Sequence, residues 1–217
     1  MVVIGAKGFA KELLTVLSWN GDITDDLFFF DNISNDVPDK LYGRFPVIRS
    51  WEDLQFHFKE IDPNFILGIG SSKHRFALAN KAISLGGKLT SCFSNKALIG
   101  EYDVEIGEGV CVMHNAIITS NVRIGKGTLI NKAAIISHDA QVGDFCEISP
   151  GAKLLGRTRV GNYSEIGAGA IILPDIAIGD NCKVGAGAVV TQNIESNSIV
   201  AGVPARLLRR NEDIIHE

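Results

Sequence analysis

The sequence predicts a small parallel α/β domain followed by a left-handed parallel β-helix. Three observations predict it. An aliphatic residue recurs at six-residue spacing through the second half of the chain. Glycine recurs there every eighteen residues, at Gly107, Gly125, Gly143, Gly161 and Gly179. The first ninety or so residues instead alternate short apolar runs with helical segments, the signature of a parallel sheet.

Taken in order, MVVIG reads as a buried strand, and Ala6-Lys7-Gly8-Phe9 turns into a helix that reaches about Leu17. LFFFD (27–31) is a second strand ending at Asp31-Asn32. A helix around Trp51–Ile61 precedes a third strand, FILGIG (65–70). Ser72–Leu85 is helical, Gly86-Gly87 stops it, and Lys88–Phe93 returns as a strand. Sheets of this kind open a ligand crevice at their strand carboxyl ends, where Gly5–Phe9, Asp31-Asn32 and Gly70-Ser71 fall. GAKGFA is not a full dinucleotide fingerprint, and by itself is equally a plain strand–helix turn. With an acid after the second strand it points to a nucleotide, because a helix N-terminus favours phosphate.

From Ile106 to Val190 every sixth residue is Ile, Leu or Val, fifteen in a row. Neither an α-helix nor a single strand has that period. The residues two positions earlier are mostly small or β-branched, with Ile176 the bulky exception. One large inward side chain, one small one and a turn make a hexad, and three hexads make a triangular coil. The glycine column suits a corner that needs positive φ or close backbone approach. Cys146 and Cys182 fall in one inward column two coils apart, about 10 Å at a rise of about 4.8 Å per strand, too far for a disulfide. They read as packing thiols. The domains expected are 1–92, Rossmann-like; 93–193, β-helix; and 194–217, a loop and short basic helix over the open end.

Composition narrows the partners. A net charge of −4 with no basic block argues against nucleic acid. Four cysteines without CxxC spacing fit a reducing, cytoplasmic compartment. No apolar run approaches the length of a membrane span, and MVVIG is too short and too soon broken to read as a signal peptide.

The hexads, Asn131–His138–Asp139, GDFCEISPGAKLLG, GAGAVV and GVPA, preceded by GAKGFAKE, resemble the NeuD/PglD family of hexapeptide-repeat sugar O- and N-acetyltransferases over nearly the whole chain. The resemblance implies a homotrimer, a nucleotide-linked amino sugar held by the N-terminal domain, and acetyl-CoA in a groove between neighbouring β-helices. It places His138 as general base and Asp139 as the acid that raises its basicity. It puts Lys7, Gly8, Phe9, Asp31, Asn32 and Gly70 on the nucleotide sugar, and Glu147, Ala168 and Ala186 on acetyl-CoA. Two positions depart from the pattern: some relatives carry histidine where this chain has Phe9 and Glu147.

The residues agree with such chemistry. His138 lies two after Ile136, at a corner whose side chains point away from the core, so it is either a solvated turn residue or the lining of an intersubunit cleft. Imidazole is the side chain best matched to proton transfer near neutrality. Eighteen residues on, Gly156 occupies the same corner, and its unhindered N–H is the candidate oxyanion donor. No cysteine stands in a Cys–His arrangement, so direct attack is expected rather than an acyl-enzyme. His114 reads as structural or solvated, His57 and His74 as surface groups, and His216 as part of the tail.

The acceptor expected is a nucleotide-linked 4-amino-4,6-dideoxy sugar of surface-polysaccharide or glycan assembly, with O-acetylation of a sialic acid as the alternative. A non-catalytic trimeric sugar-nucleotide-binding protein is the rival of another class. A metal-dependent hydratase on the same fold needs three converging histidines, which the spacing does not provide, so no metal is expected.

Overall fold

The computed structural model describes residues 1–212. Among them no helix is long and apolar enough to cross a membrane. The first unit consists of β1 (Val2–Ile4), α1 (Gly8–Asn20), β2 (Phe28–Phe30), β3 (Lys40–Leu41), β4 (Phe45–Ile48), α2 (Trp51–Glu60), β5 (Asn64–Leu67), α3 (Ser72–Ser84) and β6 (Lys88–Leu89). Its sheet has the order β3-β4-β2-β1-β5-β6, parallel except where β3 meets β4. The central strands are apolar, apart from Asn64 at the start of β5, because helices cover both faces.

Three differences from the sequence reading stand out here. The β3–β4 hairpin fills the stretch between Asn32 and Trp51, to which no element was assigned, and Pro46 is tolerated there because the strand is short and near the sheet edge. The expected strand Lys88–Phe93 is two strands, Lys88–Leu89 in the α/β sheet and Cys92–Phe93 in the first coil of the β-helix. The third is a change of side for His57, which is 2 % exposed, its ring edge-on to Phe28 at 4.6 Å, and is no surface group.

From Cys92–Phe93 to Val189–Val190 the chain winds through two-residue strands that stack into three parallel sheets. The first two strands pair with those nineteen residues on, Cys92↔Cys111 and Leu98↔Ile117, and from Glu105–Ile106 the spacing is eighteen, as in Cys111↔Leu129 and Ile117↔Ile135. The inward aliphatic column and the small-residue column form one continuous core. Every corner turns on a left-handed residue, and these recur every six residues from Gly109 to Gly187. Asn, Asp, Ala, Phe, Arg and Tyr all occupy such positions, although the conformation costs an L-residue about 1–2 kcal/mol.

The eighteen-residue glycine column is not that column. None of its five members has positive φ; what they share is crowding. A Cβ on Gly125, Gly143 or Gly161 would sit 2.3–2.4 Å from Oδ1 of Asp144, Asn162 or Asp180, respectively, in the next coil. Those oxygens accept N–H bonds from Lys126 (2.8 Å), Asp144 (2.8 Å) and Asn162 (2.7 Å), so one edge of the prism is laced by a side-chain ladder. A second ladder runs inside it. Thr128 and Ser164 donate to Gly143 and Gly179 carbonyls (2.8 Å each), and the Cys146 and Cys182 thiols donate to Gly161 (3.0 Å) and Glu195 (3.1 Å) carbonyls. Burial pushes the Cys146 thiol up to about 12, so it stays protonated and keeps its donor.

The end of the chain departs from expectation. In place of a short helix, Ser198–Gly202 and Ala205–Arg210 form an antiparallel hairpin whose first strand extends the sheet begun by Cys92–Phe93. The β-branched pair Ile199-Val200, with Val203-Pro204 as the turn after Gly202, favours strands over a helix. His216 and the rest of the expected tail lie outside the described residues.

The α/β unit rests on that same sheet. Leu13, Leu14 and Leu17 of α1 share a core with Cys92, Cys111, Met113 and Leu129, which face outward from the β-helix. Lys132 reaches Glu12 at 2.7 Å, and Asn20 Nδ2 donates to the Phe93 carbonyl at 2.8 Å.

Candidate functional site

Two sites emerge, on opposite sides of the prism. The first is a cavity of about 430 Å³ at the carboxyl ends of β1, β2 and β5, and it brings together all of Lys7, Gly8, Phe9, Asp31, Asn32 and Gly70. Its walls approach closely: a Cβ on Gly5 (φ 111°) would lie 2.7 Å from the Gly68 carbonyl oxygen, and one on Gly68 2.7 Å from Val3 Cγ1. Lys7 is the N-cap of α1 but gives no side-chain cap, which leaves first-turn N–H groups for a ligand. The Lys7 ammonium pairs with Asp36 at 2.7 Å and holds that carboxyl below the usual range. Asp31 spends Oδ1 on its own loop, accepting from Ile33 (3.1 Å) and Ser34 (2.9 Å), and Arg49 ties the loop down through the Asp31, Ser34 and Val37 carbonyls. His74, read from sequence as a surface group, is exposed but also lines this cavity.

The second site is a corner of the prism. His138 Nδ1 lies 2.7 Å from Asp139 Oδ2, and Asp139 Oδ1 accepts from Asn121 Nδ2 at 3.1 Å. Those two contacts, His138 first, lower the Asp139 pKa, and a carboxylate beside Nδ1 favours the tautomer that carries its proton there, with the lone pair on Nε2. The imidazole covers Gly156: a Cβ there would lie 2.5 Å from His138 Cε1 and 2.6 Å from Nε2. The Gly156 carbonyl accepts from Asp175, while among the described residues its N–H donates to no partner. In the coil below, Arg157 grips Asp175 at 2.6 and 2.8 Å.

His114 proves structural. Its Nδ1 is 2.5 Å from Ser94 Oγ, Trp19 covers the ring at 4.1 Å, and 8 % of its surface is exposed. Ala168 and Ala186 lie exposed on a different corner from His138, beside the positive-φ glycines Gly169 and Gly187. Glu147 joins neither His138 nor those alanines. It stands on the sheet under the α/β unit, 3.8 Å from where a Gly70 Cβ would be, with Glu165 on the neighbouring strand. Burial raises its pKa, opposed by Arg75 and reinforced by Glu165.

Arg75 is the residue the sequence reading missed. It is 1 % exposed and its guanidinium bonds only carbonyls: Gly127 (3.1 Å), Phe145 (3.0 Å) and Cys146 (2.6 Å) of the β-helix, and Gly70 of the cavity wall, with Ile69 at 3.5 Å. The available signal was an arginine in helical register with Ala79 and Ala82, on the buried face of α3.

In one protomer the cavity and His138 are kept apart. The α/β unit sits on the sheet that contains Cys111, Leu129 and Glu147, whereas His138 lies between the other two sheets, at the corner facing away from it.

Residues 157–192 match the family of bacterial transferase hexapeptide (six repeats). No curated protein matches the chain by sequence. Solved structures resemble it over almost its whole length. The acetyltransferase domain of PglB from Neisseria gonorrhoeae FA1090 is 31% identical over 95% of this chain and 98% of its own, with a TM-score of 0.86, and was also solved with acetyl coenzyme A. WeeI from Acinetobacter baumannii AYE is 30% identical over 95% and 98%, with a TM-score of 0.84. Perosamine N-acetyltransferase from Caulobacter crescentus, as a histidine-to-asparagine mutant with CoA and GDP-perosamine, is 29% identical over 95% of both chains, with a TM-score of 0.86.

Proposed function

Since the chain belongs to the hexapeptide-repeat sugar acyltransferases of the NeuD/PglD type, we propose that it acetylates the amine of a nucleotide-linked 4-amino-4,6-dideoxy sugar. It is an acyl-CoA-dependent acyltransferase; the amino-sugar acceptor and acetyl as the acyl group are our reading. The observation that carries it is the His138 imidazole, oriented by Asp139 and lying over the Cα of Gly156, whose N–H donates to no partner among the described residues. PglB's domain binds acetyl coenzyme A and the Caulobacter enzyme binds CoA with GDP-perosamine, which supports the same donor and an amino sugar as acceptor.

In this mechanism the acceptor nitrogen attacks the thioester carbonyl carbon. His138 Nε2 takes the proton that the nitrogen sheds, and Gly156 N–H stabilises the oxyanion. Collapse breaks the carbon–sulfur bond, and the departing thiolate of CoA recovers a proton from His138. Asp139 holds the tautomer and balances the imidazolium.

Because the cavity and His138 face apart in one protomer, a complete site takes both from different copies. That supports a homotrimer, with Ala168 and Ala186 lining an acetyl-CoA groove at the junction. The test follows free-thiol release from acetyl-CoA with UDP-, dTDP- and GDP-linked 4-amino sugars and free sialic acid. Release with one amino sugar identifies the acceptor. Release with sialic acid alone replaces N- by O-acetylation, and silence across the panel leaves a binding protein.

A further inference from the structure

Arg75 lies outside both sites and is fully buried, so its charge has lost its water and needs a compensating reason to be there. Its donors all go to backbone carbonyls, three on the β-helix and two, Ile69 and Gly70, at the end of β5 where the strand enters the nucleotide-sugar cavity. A trans peptide is planar, with its C=O and N–H on opposite sides. Drawing the Gly70 carbonyl toward the guanidinium therefore turns the Ser71 N–H away from it. The longer contact to the Ile69 carbonyl does the same for the Gly70 N–H. Neither N–H donates to any group among the described residues, whereas the Ser72 N–H, one position on, is taken by Glu165 Oε1 at 3.1 Å.

We propose that Arg75 is a positioning residue that presents the N–H of Gly70, which lines the cavity, and that of Ser71, which lines the pocket adjoining it at His74, as a pair of donors to acceptor oxygens of the nucleotide sugar. This rests on the nucleotide-sugar reading above. It explains why an arginine is used: a fork of five N–H groups spans carbonyls of two units at once, which a lysine or an apolar side chain does not. The same clamp fixes the cavity wall against the β-helix beside Glu147.

The test uses the full-length protein and whichever nucleotide amino sugar the wild type turns over. Arg75→Met raises KM for that sugar at least about tenfold and leaves KM for acetyl-CoA within about twofold; Arg75→Lys, with fewer donors but the charge kept, lies between. Arg75→Met is buried, so a second variant guards against misfolding. Ser71 has φ −63° and no side-chain capping bond, values a proline shares, so Ser71→Pro deletes one N–H with the helix intact. It also raises the sugar KM about tenfold. A nucleotide-sugar KM unchanged in folded Ser71→Pro overturns the proposal, as does an equal rise in both KM values in Arg75→Met. If the wild type turns over no sugar, the functional reading has failed instead. Calorimetric titration of wild type and Ser71→Pro with UDP, dTDP and GDP then decides the matter: weaker binding by the variant supports the proposal, and equal binding or none by either protein overturns it. Free nucleosides titrated in parallel show whether the oxygens belong to phosphate or to base and ribose.

Discussion

At the residue scale the corner carrying His138 makes two roles separable. His138→Ala removes the proposed base and should lower kcat by about 10²-fold or more, the usual reach of a positioned acid–base group, with both KM values nearly unchanged in steady-state assays. Gly156→Ala asks a different question. Its methyl group meets the far end of an exposed side chain, so the imidazole swings out and the fold pays little. Thermal melting should stay within a degree or two of wild type while kcat falls as far as in His138→Ala. His57 gives a pH effect. Burial, with the Met1 ammonium, lowers its pKa below the ordinary 6.5, against weaker upward pulls from Asp62 and Asp26. The unfolded chain therefore binds the proton first. The stability His57 contributes is complete above about pH 6.5 and is lost as pH falls from there toward the folded-state value. Its Nε2 has no partner among the described residues, so His57→Phe forfeits no bond. Urea midpoints should drop less between pH 7 and pH 5 in the variant than in wild type.

At the element scale the coil is held by its edges as much as by its core. Asn162→Ala removes the acceptor of the Asp144 N–H and should cost about 1 kcal/mol by chemical denaturation. Gly143→Ala is worse, because its Cβ would meet Asn162 N at 2.8 Å as well as Oδ1, and backbone cannot swing aside. A loss of about 2–4 kcal/mol is expected, in the range of overpacking with a broken bond. These ladders show what was legible and what was not. Inward columns repeat a chemical type, aliphatic or small, and so are visible as a period. The left-handed corners repeat a conformation that Gly127, Ala133, Asp139 and Phe145 all adopt, and no residue type marks it. The glycine column was seen, and close approach, one of the two reasons considered, is the one that applies. The closing hairpin reads as a loop and a short helix because LLRR has good helix formers, while the pairing of that segment with SIVAG is a contact that propensity does not weigh.

At the scale of the whole molecule, the separation of cavity and imidazole predicts complementation. Gly8 has open space where a Cβ would go, so Gly8→Glu should fold and put a carboxylate in the cavity. If the proposed homotrimer forms the site, assemblies of His138→Ala and Gly8→Glu chains should regain part of the activity that each variant alone lacks. Restoration on co-expression, absent on mixing the preformed proteins, would show that one site draws on two chains. The sequence carried the cavity residues and the His138 corner because each follows from a local motif. It carried the burial of Arg75 only as a helical register, and not its role, because its partners on the coils are carbonyls fifty-two to seventy-one residues away and leave no side-chain pattern to read.

The closing hairpin has a consequence for polymerisation. A stack of parallel coils has no intrinsic last member, since the terminal edge of each sheet offers the same N–H and C=O groups that joined the coils before it. Here the sheet that carries Lys183–Val184 continues into Ser198–Gly202, and the chain then reverses, so its outermost strand is antiparallel and bears Arg206, Arg209 and Arg210. At the other end, Asn20 takes the Phe93 carbonyl and Asn95 the Trp19 carbonyl, drawing α1 over the first coil. A chain cut after Ile194 would expose a strand edge with no arginines on it, and because α1 still covers the first coil, light scattering should show it pairing through the cut ends. The reversal of one strand makes the coil a particle of fixed length.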